Sequence, residues 1–219
     1  MVPLSFGGHA FLACDAPALF WPRQNMLIVA DLHLEKASAF AAMGQMLPPY
    51  DSLETLVRLE RLVEQTGATR MACLGDNFHD AGGPGRLSGE VHRRLDRLTA
   101  RCEWWWIAGN HDRQALGRAG GRWTDGLEAD GLMLRHEAEP DATGPEMSGH
   151  FHPRIRIRAR GHSIWRACFL RAQSKLVLPS FGALTGGLDV RHPALRRAFG
   201  GQPMEALLPL SDRLARFAL

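Results

Sequence analysis

A chain of 219 residues, 45% hydrophobic and 22% charged, is long enough to bury a sizeable core and too apolar to be disordered. Its net charge of +3 and isoelectric point near 8.9 permit a nucleic-acid partner without requiring one. No apolar run reaches the roughly 18–20 residues of a membrane helix, the N-terminus lacks the basic start of a secretory signal, and the four cysteines form no Cys-x-x-Cys pair. These features exclude a zinc ribbon or dithiol redox motif and predict a cytoplasmic protein with no membrane partner, built as one domain over residues 1–219.

Short apolar runs broken at Gly7-Gly8, Asp15-Ala16-Pro17 and Pro22–Asn25 predict edge strands or a hairpin. They feed a buried strand, Met26–Ala30, that ends at Asp31-Leu32-His33. A loop through Pro48-Pro49 follows. Asp51 as N-cap, with Glu54 completing a capping-box pattern, predicts a helix that Gly67 stops; Leu53, Leu56, Val57 and Val63 form its buried stripe. Arg70–Leu74 reads as a buried strand that delivers Gly75-Asp76 to the rim of a sheet, where open α/β sheets place ligand sites. Ala81–Gly85 reads as a loop and Ser88–Arg101 as a helix with Val91, Leu95 and Leu98 inward. Trp104–Ala108 is then a strand ending at Gly109-Asn110-His111-Asp112.

The second half reads as strands: Leu132–His136, Arg154–Ala159, Ser163–Leu170 and Lys175–Leu178. A short helix (Pro193–Phe199) and a last strand (Glu205–Leu208) close the chain. The whole predicts an α/β (α+β) fold in which the two halves supply the two sheets of one sandwich.

Five clusters carry the chemistry: Asp31-x-His33, Gly75-Asp76, Gly109-Asn110-His111-Asp112, His136 and Gly149-His150-Phe151-His152. Each alone is ordinary, because an Asp after a strand usually caps a turn and a lone His usually sits on the surface. All five in this order, most of them after a predicted strand, point to a metal centre. Carboxylate, carboxamide and imidazole ligands suit Mn, Fe or Zn better than Ca or thiolate metals. In an extended segment, a two-residue spacing puts Asp31 and His33 on one side, and likewise His150 and His152. Two metals roughly 3.5–4 Å apart need a bridging carboxylate, and Asp76 is the natural bridge.

The order Asp-x-His, Gly-Asp, Gly-Asn-His-Asp, His, Gly-His-x-His resembles the calcineurin-like metallophosphoesterase superfamily. That resemblance implies two mixed β-sheets packed as a sandwich flanked by helices. It also implies two divalent metal ions: one held by Asp31, His33, His152 and Asp76, the other by Asn110, His136, His150 and Asp76. His111 would sit beside the phosphate, oriented by Asp112. Water activated by the two cations would attack phosphorus in line, and His111 would protonate the leaving oxygen.

A narrower resemblance rests on Ala30–Lys36, Leu47-Pro48-Pro49-Tyr50-Asp51, Gly75–Asp80, Gly149–Pro153 and Leu178–Gly187. These stretches are similar to the bacterial ligase-associated DNA damage response endonuclease family, PdeM. This implies a manganese-dependent phosphodiesterase acting on DNA, single-stranded DNA by preference, in functional association with a DNA ligase and a helicase. Many superfamily members place Asp three residues after the bridging Asp, followed in protein phosphatases by Arg. Here those positions are His79 and Asp80, which counts against a protein phosphatase. His79 either faces the phosphate or caps its loop.

Arg154, Arg156 and Arg158 alternate with Ile155 and Ile157, so a strand would present three guanidinium groups on one face. That face is either ordinary solvated surface or a phosphate-tracking stripe; Arg160, Arg166 and Arg171 follow in sequence. Trp104-Trp105-Trp106 serves either core packing or base stacking, and its place in a strand favours packing. Leu178–Gly187 reads as a loop that returns to the site without a catalytic group. Two competing functions remain: hydrolysis of nucleotides or small phosphodiesters, and a non-catalytic scaffold of the same fold, which the presence of His111 disfavours.

Overall fold

The computed structural model describes residues 1–112, 119–159 and 161–219. β1 (Val2–Phe6), β2 (His9–Ala13), β3 (Ala18–Trp21) and β4 (Met26–Val29) form an antiparallel meander. β5 (Arg70–Leu74), β6 (Glu103–Ile107) and β7 (Arg122–Thr124) then add in parallel, giving a seven-stranded sheet in strict chain order. The antiparallel joins need only turns. The β4–β5 and β5–β6 crossovers carry helices: α1 (Lys36–Ala42) and α2 (Asp51–Thr66), then α3 (Gly83–Arg86) and α4 (Gly89–Arg101).

The second sheet begins with β8 (Gly126–Ala129), β9 (Leu132–Arg135) and β10 (Glu146–Ser148). The chain leaves it for a separate two-stranded ribbon, β11 (Arg154–Ala159) and β12 (His162–Ala167). It returns as β13 (Phe169–Arg171) and β14 (Lys175–Val177), passes through α5 (Pro193–Ala198), and ends in β15 (Glu205–Pro209) and β16 (Leu214–Ala218). The order is β16-β15-β13-β14-β10-β9-β8, with β10 parallel to both neighbours. As expected, each half of the chain supplies one sheet. No helix among the described residues is long and apolar enough to cross a membrane.

Leu4, Phe11, Trp21, Ile28, Leu74 and Ile107 of the first sheet meet Leu134, Met147, Phe169, Leu176 and Leu207 of the second in a common core. The other face of the first sheet is covered by α2 and α4, whose Leu56, Leu59, Leu62, Val91, Leu95 and Leu98 pack on Leu27, Val29, Met71, Cys73, Trp104 and Trp106. A sheet buried on both faces reads as unbroken apolar runs, which is why β4 and β5 were legible. Trp104 and Trp106 are core residues, so neither stacks on a base.

Several local expectations are corrected. The loop expected after His33 contains α1, whose Ala37, Ala39, Ala41 and Ala42 are the strongest helix formers. Tyr50, not Asp51, is the N-cap of α2. The Asp51 carboxylate instead accepts from Ala37 N of α1 at 3.0 Å, and Glu54 pairs with Arg58. Val57 is 42% exposed, while Ser52, Thr55, Leu59 and Leu62 complete the buried stripe. The stretch expected as a loop before α4 holds the one-turn helix α3. The strand expected over Ser163–Leu170 breaks at Cys168, whose N donates to Pro153 O at 3.1 Å, so β12 and β13 belong to different sheets.

Candidate metal centre

All five clusters lie at C-terminal ends of strands. Asp31–Leu34 follows β4, Gly75–His79 follows β5 and Gly109–Asp112 follows β6; His136 follows β9 and Gly149–His152 follows β10. Because β4, β5 and β6 are parallel, their loops emerge at one edge. The backbone stitches the loops together beyond the strands. Asp31 N donates to Gly75 O at 3.1 Å, His33 N to Asp76 O at 2.9 Å and His79 N to Leu34 O at 2.9 Å. His150 N donates to both oxygens of Asp31 (3.1 and 2.9 Å), and His111 N donates to Asp76 Oδ1 at 3.1 Å.

Two glycines permit this closeness. A Cβ on Gly109 would lie 2.2 Å from Asp76 N, and one on Gly149 would lie 2.5 Å from Asp31 Oδ2. The loop Leu178–Gly187 does return to this edge: Phe181 N donates to Ala30 O at 2.8 Å and Gly182 N to Asp31 O at 3.2 Å.

The side chains gather into two groups. Asp31, His33 and His152 form one, and Asp76, His136 and His150 the other; within each, a ligand atom from every residue lies within 4.8 Å of the others. His33 Nε2 and His152 Nε2 are 3.4 Å apart, and His152 Nε2 is 3.4 Å from Asp31 Oδ1. His150 Nδ1 and His136 Nε2 are 3.0 Å apart. Asp76 stands between the groups: Oδ1 is 3.5 Å from His136 Nε2 and Oδ2 is 3.9 Å from His33 Nε2. His136 Nδ1–H donates to Leu74 O at 3.0 Å, which fixes its tautomer and turns Nε2 toward Asp76. Asn110 is exposed in the loop after β6. Glu137, not anticipated from the sequence, brings Oε1 to 3.7 Å from His150 Nε2.

Oxygen and neutral imidazole donors with no sulfur fit a divalent first-row cation. Burial, then His152, Lys36, His111 and His79, push the pKa of His33 down to about 2. Burial and His136 lower that of His150. A depressed histidine binds its proton more readily when unfolded. Its contribution to stability is therefore full above about pH 6.5, the ordinary value, and is lost as pH falls toward the folded value. Chelator-treated protein should accordingly melt at lower temperature at pH 5.5 than at pH 7.5. A melting temperature that rises on acidification would show these imidazoles to be charged in the fold.

The backbone here is not extended. Asp31 (φ 54°), His33 (44°), Asp76 (46°), His150 (69°) and His152 (46°) all sit in the left-handed region. The expectation that each two-residue pair points one way from a strand is therefore corrected. Asp31 and His33 do converge, but through left-handed turns, and His150 and His152 are divided between the two groups. Such conformations cost on the order of 1–3 kcal/mol each and persist where surrounding contacts over-determine them.

His111 stands at the mouth, its side chain 45% exposed and Nε2 3.9 Å from Asp76 Oδ2. Its ring stacks on His79 (centroids 5.5 Å apart, planes at 17°), which stacks on Phe40 (5.7 Å, 22°). His79 thus supports the His111 imidazole from behind, while its backbone N–H ties its loop to Leu34. Burial, then Lys36 and His111, lower the His79 pKa and favour its neutral ring.

Asp112 does not orient His111. It is fully buried, and its oxygens accept from Asn77 N (3.0 Å), Phe78 N (3.1 Å), Gly109 N (3.0 Å) and Asn77 Nδ2 (2.8 Å). It therefore pins the Asp76 loop to the His111 loop. Burial raises its pKa, and the backbone amides oppose that.

Sequence reasoning missed Phe40 and Glu35. Buried Glu35 accepts from Ser38 Oγ (2.7 Å) and Ser52 Oγ (2.8 Å), tying the first motif to α1 and α2. Neither carried a signal of its own: Glu35 lies beside Lys36 in an already charged stretch, and Phe40 is one aromatic among alanines. Arg154 is half-buried, while Arg156 and Arg158 are exposed on β11; Arg160 lies outside the described residues.

A two-sheet sandwich carrying paired histidine–carboxylate groups at its strand ends, beside an open histidine, defines a metal-dependent phosphoesterase. The model of the calcineurin-like phosphoesterase family matches residues 25–173, most of the chain, and the protein belongs to that family. Among solved structures, the chain is similar to the nuclease MPE of Pseudomonas putida: 27% identity and a TM-score of 0.72 over 93% of this chain and 95% of that one. It is more distantly similar to YfcE, a phosphoesterase from E. coli, at 15% identity and a TM-score of 0.45 over 88% and 98% of the two chains. No curated protein sequence matches the chain.

Proposed function

We propose that this chain, as one catalytic domain over residues 1–219, is a manganese-dependent phosphodiesterase that cuts DNA. Asp31, His33, His152 and Asp76 would hold one cation; Asn110, His136, His150 and Asp76 would hold the other. The observation that carries the reading is the position of Asp76, one oxygen toward each group, next to an exposed His111. When bound, the cations supply a Lewis-acid clamp on the phosphate and a water of lowered pKa. The chain does the rest. Asp76 and Asp31 would offset part of the cations' charge, and Asp112 fixes the loop that presents His111. The His79–Phe40 stack holds the ring, and His111 Nε2 gives a proton to the leaving oxygen. Similarity to a bacterial nuclease supports DNA as substrate. A cytoplasmic role in DNA repair alongside a ligase and a helicase follows from the same reading.

The test is hydrolysis of single-stranded DNA, duplex DNA, a small aryl phosphodiester and a phosphomonoester, with Mn and then with other divalent ions. Metal-dependent cleavage of DNA is expected. Turnover confined to the monoester, or to small diesters, would replace the nuclease with a small-molecule phosphohydrolase.

Arg154, Arg156 and Arg158 are read as contacts to the DNA backbone. Changing all three to Gln should weaken DNA cleavage without altering sequence preference. The slope of log affinity against log salt should fall by roughly 0.7 for each lost contact to a single strand. An unchanged slope would mean that the stripe is only solvated surface.

A further inference from the structure

The ribbon β11–β12 belongs to neither large sheet, and its second strand is exposed along its whole length. Ile155 is buried and Ile157 packs beside it against the core beneath the second sheet, so the ribbon is anchored by one face. The antiparallel register pairs Arg154 with Ala167, Arg156 with Trp165, and Arg158 with Ser163. Directly opposed residues share a face, so Trp165 lies among the three arginines on the side away from the isoleucines. Its side chain is 43% exposed, and it makes no ring–ring contact among the described residues.

The ribbon's charge on this face is one-sided: it presents Arg154, Arg156 and Arg158 and no acid of its own, while Arg166 pairs with Ile155 and lies on the other face. Elsewhere Arg94 is tied to Glu60 and Glu90, and Arg171 and Arg216 are tied to Glu205. Among the described residues, no carboxylate lies within ion-pair reach of Arg154, Arg156, Arg158 or Arg166. The ribbon also continues directly from the metal centre, since Arg154 follows His152 by two residues. At about 3.3 Å per residue, the Arg156–Trp165 pair stands roughly 7 Å along β11 from Arg154, the first strand residue after the centre.

We infer that Trp165 is a base-stacking platform. It takes one unpaired base of a polynucleotide strand while the flanking arginines take the phosphates on either side, and the ribbon so selects single-stranded over duplex DNA. The inference rests on the nuclease reading and deepens it. An exposed indole bordered by unpaired guanidinium groups offers a π face and cation sites together, the combination that binds single strands without reading sequence. A duplex keeps its bases stacked on one another and offers the indole no face.

The experiment uses the full-length, Mn-loaded protein and two labelled single strands of equal length, an oligothymidylate and an abasic strand with the same phosphates. Trp165→Ala should lower kcat/KM on oligothymidylate by roughly ten- to a hundredfold, with a much smaller change on the abasic strand. Trp165→Phe should retain most of the oligothymidylate rate. Equal losses on both strands, or no loss on either, would overturn the stacking role while leaving the nuclease intact. Wild type that hydrolyses an aryl diester but neither strand would overturn the nuclease reading itself. Unfolding midpoints of both variants guard against misfolding.

Discussion

Asp76→Ala should empty both cation positions at once. Protein loaded with Mn and passed through a desalting column is expected to carry close to two ions per chain in the wild type and close to none in this variant. Phosphodiester hydrolysis should fall to background. The expectation comes from the geometry of one carboxylate, with Oδ1 toward His136 and Oδ2 toward His33. Single-group changes supply the contrast. His152→Ala should weaken only the group it shares with Asp31 and His33, and His150→Ala only the group it shares with His136. A variant lacking Asp76 that still held one tight ion would show the two groups to be independent.

His111→Ala should slow DNA cleavage by about 10²–10⁴-fold, the range in which a positioned general acid contributes. The loss should be far smaller on an aryl diester, whose leaving group needs no proton. His79→Ala, which removes the ring stacked on His111, should give a weaker form of the same pattern with the metal content unchanged. Equal losses on DNA and aryl diester in the His111 variant would assign His111 to phosphate binding alone.

The strands that carry the first three ligand clusters were legible because each is a short apolar run ending abruptly in Asp, Asn or His. β10 was not. Its first residue is Glu146, fully buried and paired with Lys175 at 2.7 Å. A charge inside the core breaks the apolar pattern by which a strand is recognised. α1 was hidden because small alanines between a metal motif and two prolines carry little periodicity. The left-handed backbone was invisible for a different reason. Spacing arguments assume a regular repeat, and Asp and His do not announce a positive φ as Gly does. The role of Asp112 was misassigned because proximity in sequence to His111 says nothing about which way a buried carboxylate faces; four N–H groups already satisfy it.

The left-handed ligand positions bear on how this site would age. At each of them glycine would relieve the backbone. At Asp31 or Asp76 it would also remove a buried carboxylate, and with it the acceptor for His150 N or His111 N. Mutational drift in a lineage that no longer needed phosphodiester cleavage would therefore meet little resistance from folding. The backbone relief is of the same order as the hydrogen bonds lost, so the sandwich would outlast its chemistry. The identities of these ligands answer to the chemistry rather than to the fold.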